Sequence, residues 1–171
     1  MQPDELSKQE YSSFNATYIN ATEDVSLIEG LENGLSQMVS FISAIPLEKL
    51  EYRYAENKWT IKDILLHLID AERIFGYRAL RIGRGDKTAL AGFEENDYVP
   101  SAGANNRTSE SLLEEFKFVR NATLCLFKNF STEQLLYLGT ASNQTISVRA
   151  IGFVISGHQN HHLRIIQERY L

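Results

Sequence analysis

The chain reads as an all-α protein, a four-helix bundle with short accessory helices and a long connection between its second and third long helices. Three observations lead there. Only three prolines, Pro3, Pro46 and Pro100, occur in 171 residues, and they fall between long uninterrupted stretches. Within those stretches apolar residues recur every three or four positions, the repeat of one face of an α-helix. Residues that cap helices, and glycines or prolines that end them, stand at several of the boundaries.

The first expected element is a short helix over Glu10–Asn20, carrying Tyr11, Phe14, Tyr18 and Ile19. A long helix follows over Glu23–Ala44, with Val25, Ile28, Leu31, Leu35, Met38, Phe41 and Ile42 on one side. Pro46 stops it, because proline disfavours the helical conformation in the residue before it. The second long helix starts at Thr60, an N-cap with Asp63 three residues on, a shortened capping box. Trp59 and Ile64 supply the hydrophobic staple that fixes how the chain enters. This helix runs to about Arg84, where Gly85 ends it, and Arg78, Arg81 and Arg84 read as a solvated end whose cations complement the helix dipole. Lys87 continues that basic series, whose other reading is attraction of an anionic substrate.

Gly85–Arg107 has no helical repeat and is long for a connection, which suggests a crossover or a lid. The third long helix spans Thr108–Phe130, with Leu112, Leu113, Phe116, Val119, Leu126 and Phe127 as its apolar set. Ser131-Thr132-Glu133-Gln134 is a second capping box, opening a short helix that Gly139 should end. The fourth long helix occupies Ser147–Tyr170. Four amphipathic helices bury their stripes on one another, so residues 1–171 are expected to form one bundle domain.

Composition narrows the function. Seventeen Lys and Arg against 22 Asp and Glu give a net charge of −5, which argues against a nucleic-acid surface. No apolar run approaches the roughly 20 residues a membrane helix needs. Met1-Gln2-Pro3-Asp4-Glu5 lacks the basic and apolar segments of a secretory signal. One cysteine, Cys125, allows neither an internal disulfide nor a Cys-based zinc cluster and fits a reducing cytoplasm. It is expected to pack in the core face of its helix. The expected partner is a small molecule, and the apolar segment Tyr11–Ile19 offers a surface for a homodimer.

Three of the four histidines lie within Gly157-His158-Gln159-Asn160-His161-His162. His158 and His162 stand about 40° apart around a helix and about 6 Å apart along it, in the middle of the inward stripe. His161 lies nearer its edge. His67, in the middle of the second long helix, is offset by about 100° from that helix's main apolar arc, on a flank that can still face a neighbour. Two readings stand side by side. A buried histidine can be a neutral imidazole bonded to a backbone carbonyl. Two adjacent imidazoles in one apolar stripe incur desolvation twice, and a shared divalent metal relieves both. A third ligand would then be needed, and His67 is the other inward candidate. A zinc protease is excluded, because Gln159 replaces the glutamate that must follow the first histidine as general base.

These segments resemble the DinB/YfiT-like superfamily of metal-binding four-helix bundles. The resemblance rests on Lys58-Trp59-Thr60-Ile61-Lys62-Asp63 running on to His67, on Ile146–Ile151, on Gly157-His158-Gln159-Asn160-His161-His162, and on the terminal Glu168-Arg169-Tyr170. It implies a divalent metal, nickel or zinc, on His67, His158 and His162, with His161 as a non-ligand. Members of that superfamily include thiol transferases using bacillithiol- or mycothiol-type cofactors, an isomerase and proposed hydrolases. The implied function is therefore a metal-dependent hydrolase or thiol-dependent transferase acting on a small molecule, with a low-molecular-weight thiol as one candidate partner. The alternative is a non-catalytic, metal-stabilised binding or stress-response module.

No residue in the sequence stands out as general base. Asp70, one turn after His67, can orient it or sit in a surface ion pair. Glu72 lies near the apolar arc and needs a cation such as Arg73, Arg149 or one from another helix. Tyr52, Tyr54, Asp97 and Tyr98 are candidates for the mouth of the site.

Overall fold

A computed structural model describes residues 1–171. Its elements are α1 (Ser13–Ile19), α2 (Leu27–Ser43), α3 (Ile61–Gly83), α4 (Glu95–Ala102), α5 (Ser109–Lys128), α6 (Thr132–Leu135), β1 (Leu138–Ala141), β2 (Gln144–Ser147) and α7 (Val148–Arg169), with short 3-10 turns between. The protein is all-α, a four-helix bundle of α2, α3, α5 and α7. Helices α3 and α7 each pack against two others: α3 on α7 and α5, and α7 on α3 and α2, while α2 also contacts α5. The successive helices α2 and α3 thus sit across the diagonal, as do α5 and α7, so the path is not a simple up-and-down meander. No helix is long and apolar enough to cross a membrane.

Local chemistry sets the ends. The Thr60 hydroxyl accepts from the Asp63 amide at 3.0 Å and the Asp63 carboxylate accepts from the Thr60 amide at 2.9 Å, the reciprocal box that opens α3. Asn105 clamps the same turn, accepting from the Thr60 hydroxyl and donating to Asp63, both at 2.9 Å. Gly85, with φ of +82°, closes α3 where glycine was expected to do so. At the start of α7, Ser147 and Arg149 bond the carboxylate of Glu10, fixing the N-terminal segment over the bundle.

Four expectations change. The first long helix begins at Leu27, because the Ser26 hydroxyl accepts from the Glu29 amide and caps it there. The connection after α3 contains α4, and Pro100 lies within it, tolerated in a helix of two turns. The segment after Ser131 holds one helical turn and then a hairpin. Ser142 and Asn143 have φ of +50° and +60°, the two-residue turn that reverses a hairpin, and the strands pair antiparallel from Leu138–Ser147 to Ala141–Gln144. Gly139 therefore serves a strand; a Cβ there would stand 2.4 Å from Ile82. Finally, Cys125 is exposed, on the solvent side of α5.

The apolar interior falls into two clusters. One gathers Leu31, Ile82, Phe127, Ile151 and Val154 near the hairpin; the other gathers Met38, Ile61, Leu65, Phe116 and Ile166 toward the opposite end. Buried polar residues, His67, Glu72, Arg120, His158 and Gln159 among them, come from the middle stretches of the same helices.

Candidate metal centre

His67 projects from α3 and His158 and His162 from successive turns of α7, and these two helices lie side by side. Their rings meet. The Nε2 atoms of His67 and His162 each stand 3.1 Å from Nε2 of His158, and the nitrogens of all three lie within 4.8 Å of one another. A ring nitrogen carries either one proton or one lone pair, so Nε2 of His158 cannot serve both contacts as a simple hydrogen-bond partner. A cation shared by the three can. Nitrogens bound at 2.0–2.1 Å stand roughly 2.9 Å apart at right angles and roughly 3.4 Å apart on a tetrahedron; the two contacts to His158 fall between, and the third pair, His67 and His162, lies within 4.8 Å.

The surroundings keep the rings neutral, the form that binds metal. Burial pulls His67 down to about 4 and His162 to about 3. His158, the most enclosed, is pushed well below the ordinary histidine value, first by burial and then by its neighbours His162 and His67. Aromatic rings hold the imidazoles in place: Trp59 is 4.9 Å from His67, Tyr18 is 4.9 Å from His158 and Phe75 is 6.1 Å from His158, centroid to centroid. His161 stands outside the trio and packs its ring on Tyr18 at 5.7 Å.

The triad opens onto a cavity of about 600 Å³, walled by α1, α3, α4, the hairpin and α7. Of the residues singled out in the sequence, Asp70 makes no bond to His67; it pairs with Arg73 at 3.5 Å on a partly exposed face, and burial raises its carboxyl. Glu72 is buried and gripped by Arg120 of α5 through two bonds of 2.8 Å, while Arg149 binds Glu10 instead. Tyr52 and Tyr54 pack on Tyr170, outside the cavity wall. Tyr98 packs on Phe93 in a cleft beside His67, and Asp97 is exposed.

Among the wall residues that the sequence did not place at the site are Tyr18, Phe93 and Glu95. Arg78, read chiefly as part of a solvated helix end and otherwise as part of a series attracting an anionic substrate, is buried. A signal for it existed: His67 and Arg78 are eleven residues apart, three turns with an offset of about 20°, hence on one face. No comparable signal marks Glu95, which lies in a stretch without periodicity.

The profile of the DinB superfamily matches residues 31–166. The chain belongs to the DinB superfamily. No curated protein matches it in sequence. Among solved structures, this DinB-superfamily chain is similar to YfiT from Bacillus subtilis, with a TM-score of 0.75 and 16% identity over 85% of this chain and 88% of that one. That protein is described as a probable metal-dependent hydrolase with an unusual four-helix bundle topology. At such low identity the likeness bears on the fold.

Proposed function

We propose that this DinB-superfamily protein is a metal-dependent hydrolase of a small organic substrate, with a divalent cation, zinc or nickel, held by His67, His158 and His162. One observation carries the reading: three neutral imidazole nitrogens converge on the wall of a cavity large enough for a small-molecule substrate. A divalent ion on three neutral ligands keeps its full charge and supplies Lewis acidity, polarising a carbonyl and acidifying water.

The chain's own residues supply the rest. Trp59, Tyr18 and Phe75 pack on His67 and His158 and hold their rings. Burial, and after it the charge of Glu95, raises the Tyr18 phenol, so it keeps its proton at neutral pH and can donate to a developing negative oxygen. Glu95 is the carboxylate on the wall and the candidate proton acceptor. The cavity volume also admits two reactants, which favours a second reading, transfer from a low-molecular-weight thiol to an electrophile.

Protein loaded with zinc or nickel, assayed against esters, amides and thiol–electrophile pairs, tests both. Turnover of one class that disappears in His162→Ala is the expected result. Turnover unchanged in that variant excludes the triad as the reaction centre, and none across the panel, with metal still raising the melting temperature, supports the non-catalytic alternative.

A further inference from the structure

The cavity wall carries a fixed cation besides the triad. Arg78 is 7% exposed, yet it belongs to none of the chain's ion pairs. Its recorded hydrogen bonds both leave from Nη2, donating to the Ala91 carbonyl and the Ser142 hydroxyl at 2.9 Å each. Two neutral acceptors do not offset a buried positive charge, and Nε and Nη1 keep their donors. Burial without a counter-charge lowers its pKa. The one carboxylate on the wall, Glu95, exerts its charge on Tyr18 and makes no ion pair with Arg78.

The surroundings of Arg78 are shaped for a ligand. The rings of Phe75 and Phe93 lie 5.8 and 5.9 Å from its guanidinium carbon. His67, Ala71, Phe75 and Arg78 line the cavity in succession along α3, a stripe rising about 16 Å between its end Cα positions. A small residue leaves room at Ala71, an apolar ring follows, and a planar cation ends the row.

Resting on the proposed metal-dependent reading, we infer that Arg78 binds the carboxylate of an elongated, anionic substrate whose apolar body runs past Phe75 and Phe93 and whose reacting end reaches the histidine triad. A planar guanidinium with two free donors suits a carboxylate. This assigns the substrate class: a small organic acid with its cleavable or reactive group several bonds from the carboxylate. If Arg78 merely pins the hairpin turn to α3, an anion gains nothing from it.

Two probes distinguish these cases: octanedioic acid monohydroxamate, which ends in a carboxylate, and octanohydroxamic acid, which ends in a methyl group. Each is titrated calorimetrically into zinc-loaded and metal-stripped protein. The carboxylate-ended probe should bind zinc-loaded wild type about tenfold to a hundredfold tighter. Arg78→Met should erase that difference and Arg78→Lys should retain part of it. Equal affinities for wild type, or a preference that survives in Arg78→Met, overturns the inference; the wild-type comparison stands whether or not the variant folds. The metal reading is judged separately, by whether octanohydroxamic acid gains affinity from zinc.

Discussion

Two polar groups lie side by side in the interior, and they are built in opposite ways. Glu72 stands five residues after His67 on α3, and Gln159 follows His158 on α7. Both oxygens of Glu72 accept from Arg120, Nη1 of Arg120 donates to the Leu31 carbonyl at 3.1 Å, and Gln159 donates to the Gly34 carbonyl at 2.9 Å. A Cβ on Gly34 would stand 2.8 Å from Nη1 of Arg120, so glycine lets the α2 backbone close around the pair. Both charges are matched, and the one buried side-chain atom of this group without a partner is Oε1 of Gln159. In the histidine group, one turn away, the nitrogens face one another with no fixed partner able to satisfy them all. A satisfied buried pair ties α3 to α5; an unsatisfied cluster is a place for something else to bind.

The largest expected effect comes from opening the closed group. Glu72→Ala leaves the Arg120 guanidinium buried and unpaired, and should lower unfolding free energy by about 3–5 kcal/mol in chemical denaturation. The double variant Glu72→Leu/Arg120→Met removes both charges and should recover most of that loss. If the two groups are separate devices, the double variant still takes up zinc. Loss of zinc uptake in a folded double variant would join the two groups into one.

Filling the open group should act the other way. Zinc at a hundredfold excess over its dissociation constant should stabilise the wild type by about 2.7 kcal/mol, read as a raised melting temperature that a chelator reverses. His158→Ala should abolish the shift. A shift that persists in His158→Ala would place the zinc elsewhere.

Protons compete for the same nitrogens. In metal-free protein His67 and His162 are held at about 4 and about 3, below the ordinary 6.5 they regain on unfolding. The unfolded chain therefore binds more protons between those values, so stability is full above about pH 6.5 and falls as pH drops toward 3. The loss approaches about 1.4 kcal/mol per histidine for each pH unit. Denaturation midpoints of wild type and His67→Ala across pH 4–7 measure it, and a slope identical in both would show that His67 does not titrate in that window.

The closed and open groups also differ in how far the sequence reveals them. His158 and His162 were legible because i, i+4 spacing places two rings on one face whatever surrounds the helix. His67 required the resemblance, since an offset from the apolar arc permits an inward direction without fixing it. For Glu72 the sequence left Arg73, Arg149 and a cation of another helix open, and Arg120 could not be singled out, because pairing across a bundle depends on which helices are neighbours. The hairpin was missed for a local reason: Ser142-Asn143 is a weaker turn signal than Asn-Gly, and Ser131–Gln134 had already suggested a helix. Arg78 was read chiefly as solvated because it stands near a helix end, whereas Ala91, Phe93 and Ser142 of the hairpin turn close over it.

The smallest effect is expected at Cys125, where the sequence favoured burial and the fold exposes the side chain. A thiol on the solvent side of α5, absent from the wall of the 600 Å³ cavity, contributes to neither polar group. Cys125→Ser should change unfolding free energy by less than about 0.5 kcal/mol. It should leave zinc uptake and any turnover at wild-type levels, and the unmodified thiol should react with an alkylating reagent in the native protein. Slow alkylation that speeds up only on unfolding would return Cys125 to the interior, and the placement of α5 against α2 and α3 would need revision with it.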